Sequence, residues 1–307
     1  MMKSTIQQIL LYSCKAFIGI VFCISAILKL LSIESFEIYI YSFQLFSLNF
    51  SYLVARFIIS AELILGIMLI LNLLKRYTYI ITLSVLTIFT AFLLFVHIIA
   101  GNQENCHCFG DIIKLDIVSS VLKNILLIAL LLISKNSSLF HLRFEKIIIA
   151  LLIMAAFVSV NIVSPPDNWI SSQKNAELNE KALTEAFSNN ILEEELKYET
   201  KIICFYGTGC KYCQLMDKKL SLIQKRCPEA EMNFTGVFWG NPENYEKFIQ
   251  NSGINFTKTY LISPVTFLEI TNGKMPVVII MKDGLITDKF KYNNLQEDIF
   301  IKSIKNN

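Results

Sequence analysis

The sequence predicts a bundle of membrane-spanning helices followed by a soluble α/β domain, and three observations carry that expectation. Of 307 residues, 54% are hydrophobic, and the mean hydropathy of +0.51 is too high for an ordinary soluble chain. Before residue 164 the apolar residues gather into five runs of roughly the length that crosses a bilayer. After Ser164–Pro165–Pro166 the composition turns polar, and short strand-like and helix-like runs alternate. The net charge is only +3, from 28 Lys and Arg against 25 Asp and Glu, and no basic run interleaved with aromatics marks a nucleic-acid surface.

The runs are Ile9–Leu31, Tyr52–Leu73, Tyr77–Ala100, Ile117–Ser134 and Lys146–Val163. The first continues through Lys29, Leu30 and Leu31 with no small-residue cleavage site, so it reads as an uncleaved anchor. Lys3, then Lys75 and Arg76, then Lys135, Arg143 and Lys146 lie at alternate ends of the runs, which places those ends in the cytoplasm. The other two loops are poor in positive charge. Residues 32–51 hold only Glu34 and Glu37, and residues 101–116 hold one Lys among three acids. Five spans from a cytoplasmic N terminus leave the loop at Cys106 and everything after Val163 outside, in a bacterial setting the periplasm.

The stretch from Gln173 to Lys197 has Leu183, Phe187, Leu192 and Leu196 near helical spacing and reads as the first helix of the soluble part. Lys201–Tyr206 reads as a strand, Gly207–Thr208–Gly209 as a turn, and Cys210 opens a helix running through Leu215, Leu220, Leu222 and Ile223. Met232–Trp239 reads as a second strand before a helix near Pro242. Pro276–Met281 and Leu285–Lys291 flank Asp283–Gly284 as a hairpin, and Leu295–Ile304 as a closing helix. The domain limits are drawn at 1–135, 136–170 and 171–307.

Eight cysteines include two close pairs. Cys210-Lys-Tyr-Cys213 at a helix start suits dithiol exchange, because a thiolate at the positive end of a helix is stabilised and the second sulfur lies one turn on. Cys210 is assigned as the attacking thiolate and Cys213 as the resolving one. The competing readings are a half-zinc site, which lacks a second ligand pair, and a static bridge in a client-binding or assembly module. Cys106-His-Cys108 is read as an electron relay, since a disulfide across one residue closes a small ring. A copper or zinc site using His107 and two thiols bonded elsewhere stay open beside it. Cys14 and Cys23, nine residues apart, fall on opposite faces of one helix; Cys204 is a candidate core thiol and Cys227 an exposed one. Lys29 and Glu62 lie in the outward halves of consecutive antiparallel spans and are expected to pair, structurally or as a proton-handling or quinone site, with His97 near its outer end as a further candidate.

From Glu177 to Lys302 the chain resembles the thioredoxin superfamily, which implies a cis-proline at Met275–Pro276 beside the cysteines, with the Met275 backbone free to pair with a substrate chain. An ordinary trans proline opening a strand is the alternative. The sequence departs from the familiar pattern in having Gly209 before the first cysteine and Lys211–Tyr212 between the two. Ser25–Ala26–Ile27–Leu28–Lys29–Leu30 with Phe36, Ala61–Glu62–Leu63–Ile64–Leu65–Gly66, and Cys106–His107–Cys108–Phe109–Gly110–Asp111 with Lys123–Asn124 resemble the DoxX/MauE group of redox-associated membrane proteins. That resemblance covers four spans and implies a four-helix membrane unit. Its methylamine-utilisation members are associated with disulfide handling during maturation of an exported dehydrogenase subunit.

The expectation is therefore an all-α membrane bundle, four helices plus a fifth, joined to an α/β thioredoxin-like domain. Its function is thiol–disulfide exchange on exported protein thiols or disulfides, with Cys106/Cys108 relaying electrons. A quinone is the candidate acceptor, and no metal is assigned. The alternatives are client binding without turnover and metal handling by the Cys-His-Cys loop.

Overall fold

A computed structural model describes residues 5–101, 105–136, 144–166, 176–193 and 200–305. Lys3, Arg143, Gln173, Leu196 and Lys197, used in the reading above, lie outside the described residues. The chain divides into two compact units, one of Met1–Tyr39 with Tyr52–Pro165 and the other of Ile40–Ser51 with Pro166–Asn307.

The first unit is helical: α1 Thr5–Leu31, α2 Ile33–Ser42, α3 Leu48–Ile70, α4 Lys75–Ala100, α5 Ile117–Ile133 and α6 Glu145–Val163, with a short strand β1, Cys108–Asp111, before α5, while Ile40–Ser42 of α2 and Leu48–Ser51 of α3 fall in the second unit. Four of these, α1, α3, α4 and α6, are long and apolar enough to cross a membrane, whereas α5 has 17 residues. The helix begins where the expected run Ile117–Ser134 does, after Asp116 in extended backbone, and stops one residue short at a 3-10 turn, Ser134–Asn136. At ~1.5 Å per residue, α5 is about 25 Å long, at the short end of what spans a ~30 Å hydrocarbon layer. Residues 32–51 are not all loop. Ile33, Phe36, Ile40 and Tyr41 recur at helical spacing and are buried on α2, which is why this stretch forms a helix.

α1 shows what solvent the unit is built for. Its buried face carries Lys15, Ser25 and Lys29 together with Ile18 and Phe22, while Phe17, Ile20, Ile24, Ile27 and Leu31 are exposed. A water-soluble helix has the opposite arrangement. Apolar side chains facing outward and polar ones paired inside are what a lipid surround requires. α1 and α3 touch backbone to backbone at Gly19 and Gly66, where a Cβ on Gly19 would lie 2.6 Å from the Gly66 carbonyl oxygen. Small residues permit that approach.

The second unit carries a five-stranded sheet in the order β4-β3-β2-β5-β6, with β2 Thr200–Gly207, β3 Phe234–Trp239, β4 Phe256–Leu261, β5 Val277–Lys282 and β6 Leu285–Lys291. β2, β3 and β4 run parallel, while β5 and β6 are antiparallel additions, a thioredoxin-like sheet. Alternation along β2 sends Ile203 and Phe205 into a core with Leu183, Phe187, Phe267 and Ile270 of the helices Glu180–Ser188 and Pro264–Thr271. The opposite face holds Tyr206, whose ring lies 5.7 Å from Phe248 of the helix Pro242–Asn251. β4 and the helix Pro264–Thr271 were not anticipated. β4 is an edge strand with half its side chains exposed and a polar Thr-Lys-Thr centre, so it lacks the apolar alternation that identifies strands. The helix did carry a start signal, Ser263 accepting the Thr266 N–H with Pro264 in the first turn.

Candidate active site

In the membrane unit one turn of α1 separates Ser25 from Lys29, so both face α3, where Glu62 forms an ion pair with Lys29. Lys29 is 3% exposed and Glu62 19%. Ser25 Oγ accepts from Lys29 Nζ at 3.1 Å. Its single proton has two acceptors in reach, Glu62 Oε2 at 3.0 Å and the Cys108 carbonyl at 2.7 Å. The ion pair and the cysteine loop, inferred separately from the sequence, therefore form one bonded cluster. His97 sits on the last turn of α4, and its Nδ1 has no hydrogen-bond partner among the described residues.

The loop is held from several sides. Cys106 N–H donates to the Leu115 carbonyl at 2.9 Å, the Asp111 N–H to Ser32 Oγ at 3.0 Å, and the His107 ring packs at a tilt 4.4 Å from that of Tyr39 of α2. Gly110 has φ +66°, and a Cβ there would lie 2.7 Å from the Leu28 carbonyl oxygen, so the loop reaches α1 only because this residue has no side chain. Both loop cysteines are 2% exposed. Cys106 Sγ accepts the Cys108 N–H at 3.3 Å and shares a hydrogen bond with Ser120 Oγ of α5 at 2.8 Å. The Cys108 thiol, the Ser120 hydroxyl, the Cys108 N–H and the Lys123 charge hold the Cys106 thiol down to about 6 against burial. Cys108, bonded to Cys106 and buried, is pushed far above the usual thiol range.

In the second unit β2 ends at Gly207, and Cys210 is the N-cap of the helix Lys211–Arg226, its Sγ accepting the Cys213 N–H at 3.2 Å. The Cys213 thiol, followed by the N–H groups of Cys213 and Tyr212, lowers Cys210 to about 6. Cys213, fully buried, is pushed far up. The asymmetry suits exchange chemistry, with one half-exposed thiolate and one protonated thiol held in reserve. Met275–Pro276 is a cis peptide. Met275 packs over the active turn, since a Cβ on Gly207 would lie 2.6 Å from Met275 Sδ and 3.5 Å from Cys210 Cβ. Beside it opens a groove of about 600 Å³ lined by Tyr212, Met275, Pro276, Tyr292 and the charged Glu177 and Lys274.

Residues 7–135 match the family model of the methylamine utilisation protein MauE. That segment, residues 7–135, resembles MauE, and a domain with a thioredoxin-like sheet follows it. The MauE-like segment contains Lys29, Glu62, Cys106 and Cys108. Protein TlpB of Flavobacterium psychrophilum is 25% identical over 280 residues, which cover 73% of this chain and 75% of that protein. A secreted Mycobacterium tuberculosis disulfide oxidoreductase homologous to E. coli DsbE is similar over 34% of this chain and 80% of its own, at 18% identity and a TM-score of 0.28.

Several groups around the MauE-like and thioredoxin-like sites escaped the sequence reading. Ser120, fully buried, lies three residues before Lys123, a spacing that puts both on one helix face. Arg56 and Glu37 form a second buried ion pair, with Arg56 Nε also donating to the Ser164 carbonyl at 3.0 Å. Lys15 donates to Asn72 Oδ1 at 2.6 Å. A charge inside an apolar run was the available signal for Lys15 and Arg56. Asp217, one turn after Cys213, is 2% exposed and accepts from Ser252 Oγ at 2.6 Å and the Gly253 N–H at 2.9 Å, with burial raising its carboxyl. Lys219 Nζ lies 3.8 Å over the Tyr292 ring and donates to the Tyr292 carbonyl at 3.0 Å, and Tyr292 in turn packs 5.3 Å from Tyr212. Cys204 is a fully buried thiol, as its strand position implied, whereas Cys227 is half-buried rather than exposed because it caps the helix C-terminus. No cluster of three or more His, Cys, Asp or Glu suited to a metal occurs among the described residues.

An expected consequence concerns pH. The rate at which iodoacetamide alkylates Cys210 in the reduced protein should rise with pH and level off with a midpoint about 6. A midpoint at the ordinary thiol value of ~8.5 would show that the helix N-terminus and the Cys213 contacts do not stabilise this thiolate.

Proposed function

We propose that the protein is a membrane-anchored thiol–disulfide oxidoreductase that passes electrons between Cys210/Cys213 and Cys106/Cys108 and acts on protein thiols outside the cytoplasm. The observation that carries this reading is the repetition of one arrangement: in each pair the first sulfur accepts the backbone N–H of the second cysteine, at 3.2 Å in the helix and 3.3 Å in the loop. The likeness to the MauE family and to TlpB supports the same class of role. The groove beside cis-Pro276 is where a client chain would lie, with the Met275 backbone as its pairing edge.

Charge placement supports a cytoplasmic N terminus in a bacterial inner membrane and a periplasmic thioredoxin-like domain, provided that α5 crosses along with the four longer helices. In the oxidising direction Cys210/Cys213 take two electrons from client thiols, Cys106/Cys108 receive them, and a quinone accepts them near Lys29 and Glu62. Oxidation is favoured over reduction because Cys14 and Cys23, the thiols within a span, fall nine residues apart on one helix and cannot hand electrons across as a pair.

The test is a pair of variants in cells. Cys213→Ser should accumulate mixed disulfides between Cys210 and client proteins on non-reducing gels, and Cys210→Ser should accumulate none. In a Cys106→Ser/Cys108→Ser variant the resting redox state of Cys210/Cys213 should shift toward reduced. An unchanged state would make the membrane unit an anchor alone, and the absence of adducts in Cys213→Ser would leave the client-binding reading.

A further inference from the structure

We propose that Cys106 is the exchanging sulfur of the membrane loop, that Cys108 resolves it, and that Ser120 of α5 is the positioning residue that readies Cys106 for attack. The proposal rests on the relay reading above and assigns roles within it. The Cys108 N–H donates to Cys106 Sγ at 3.3 Å, the Ser120 hydroxyl lies 2.8 Å away where it donates once Cys106 is a thiolate, and Lys123 adds a positive charge one turn further along α5. Among the described residues no backbone N–H is directed at Cys108 Sγ. The Cys108 thiol instead donates to Cys106, and Ser25 fixes the Cys108 carbonyl to α1. One sulfur is thus prepared to carry charge and the other is anchored through its backbone as a thiol.

The reduced loop then begins exchange as a Cys106 thiolate and a Cys108 thiol. Cys106 Sγ attacks Cys210 Sγ of the Cys210–Cys213 disulfide, a Cys106–Cys210 bond forms, and Cys213 leaves with the electron pair. Cys108 loses its proton, which Cys213 ultimately takes up, and attacks Cys106 Sγ. Cys210 leaves as the thiolate, the loop is oxidised by two electrons, and the domain pair is reduced by two. The oxidising direction runs through the same Cys106–Cys210 intermediate in reverse. Besides Lys123 of α5, the ionisable groups around the loop are Tyr39 of α2, Lys29 of α1 and Glu62 of α3, the last two reaching it through Ser25, and His107 and Asp111 on the loop itself.

The experiment loads Cys210 of the full-length Cys213→Ser protein with thionitrobenzoate and follows its release by absorbance as the reduced loop attacks. With Cys108→Ser added, Cys106 alone should release the chromophore at least tenfold faster at pH 7 than Cys108 does in the Cys106→Ser background. Ser120→Ala should slow release by about tenfold, as expected for one lost hydrogen bond to a charged acceptor, and move the pH midpoint upward, while Ser120→Thr restores both. Faster release from Cys108 than from Cys106 overturns the assignment and leaves the relay standing. Release no faster than from a Cys106→Ser/Cys108→Ser control overturns the relay itself. Thiolate absorbance of the reduced loop provides a second readout, and a Ser120→Ala titration identical to the parent removes Ser120 from the site.

Discussion

Replacing Glu62 by leucine while Lys29 remains is expected to cost about 3–5 kcal/mol, the penalty for leaving one member of a buried ion pair uncompensated. Lys29 is 3% exposed and bonded to Ser25 and Glu62 alike, so removing the carboxylate strands an ammonium among apolar side chains. The double variant Lys29→Met/Glu62→Leu should recover most of that loss, because two apolar side chains of similar volume satisfy a lipid-facing bundle without desolvating any charge. Thermal unfolding of the detergent-solubilised proteins, run as a double-mutant cycle, measures the coupling. Equal stability of the single variant and the parent would show that water reaches Lys29. Loss of loop chemistry in a stable double variant would place the pair in function rather than in folding.

Gly110→Ala is the second change with a large expected effect. The residue sits at φ +66°, a conformation that costs other L-residues about 1–2 kcal/mol, and the new Cβ would lie 2.7 Å from the Leu28 carbonyl oxygen. That obstacle is α1 backbone and cannot rotate away, so overpacking adds about 1–3 kcal/mol. The loop should lift from α1, breaking the Asp111 N–H bond to Ser32 and the Ser25 bond to the Cys108 carbonyl. Access of a maleimide to Cys106 and Cys108, both 2% exposed in the parent, measures the displacement. Gly110→Asn separates the two causes, since asparagine tolerates positive φ but still carries a Cβ. Asparagine as disruptive as alanine shows that space controls the site, and a tolerated asparagine shows that conformation does.

Much of the architecture was legible because its signals are local. The apolar runs, the Cys210 helix start and the hairpin about Asp283–Gly284 each sit within one stretch of sequence. The roles of Cys106, Cys108, Lys29 and Glu62 could be proposed from residue type, but their union through Ser25 could not. That hydroxyl matters only once α1, α3 and the loop are folded together, and a serine in an apolar helix is an ordinary occurrence. Ser120 was hidden for the same reason. β4 was missed because an edge strand with a polar centre looks like a loop, and α2 because two acids in a short stretch suggested exposure, whereas Glu37 is buried against Arg56.

The matched arrangement of the two pairs bears on reversibility. In both, the first thiol is held to about 6. The proposed exchange consumes a Cys106 thiolate and releases a Cys210 thiolate, so the acidity of these two sulfurs favours neither direction. If the pairs exchange as proposed, the balance of oxidant and reductant at the two ends, together with the reduction potentials of the two disulfides, fixes which way current flows.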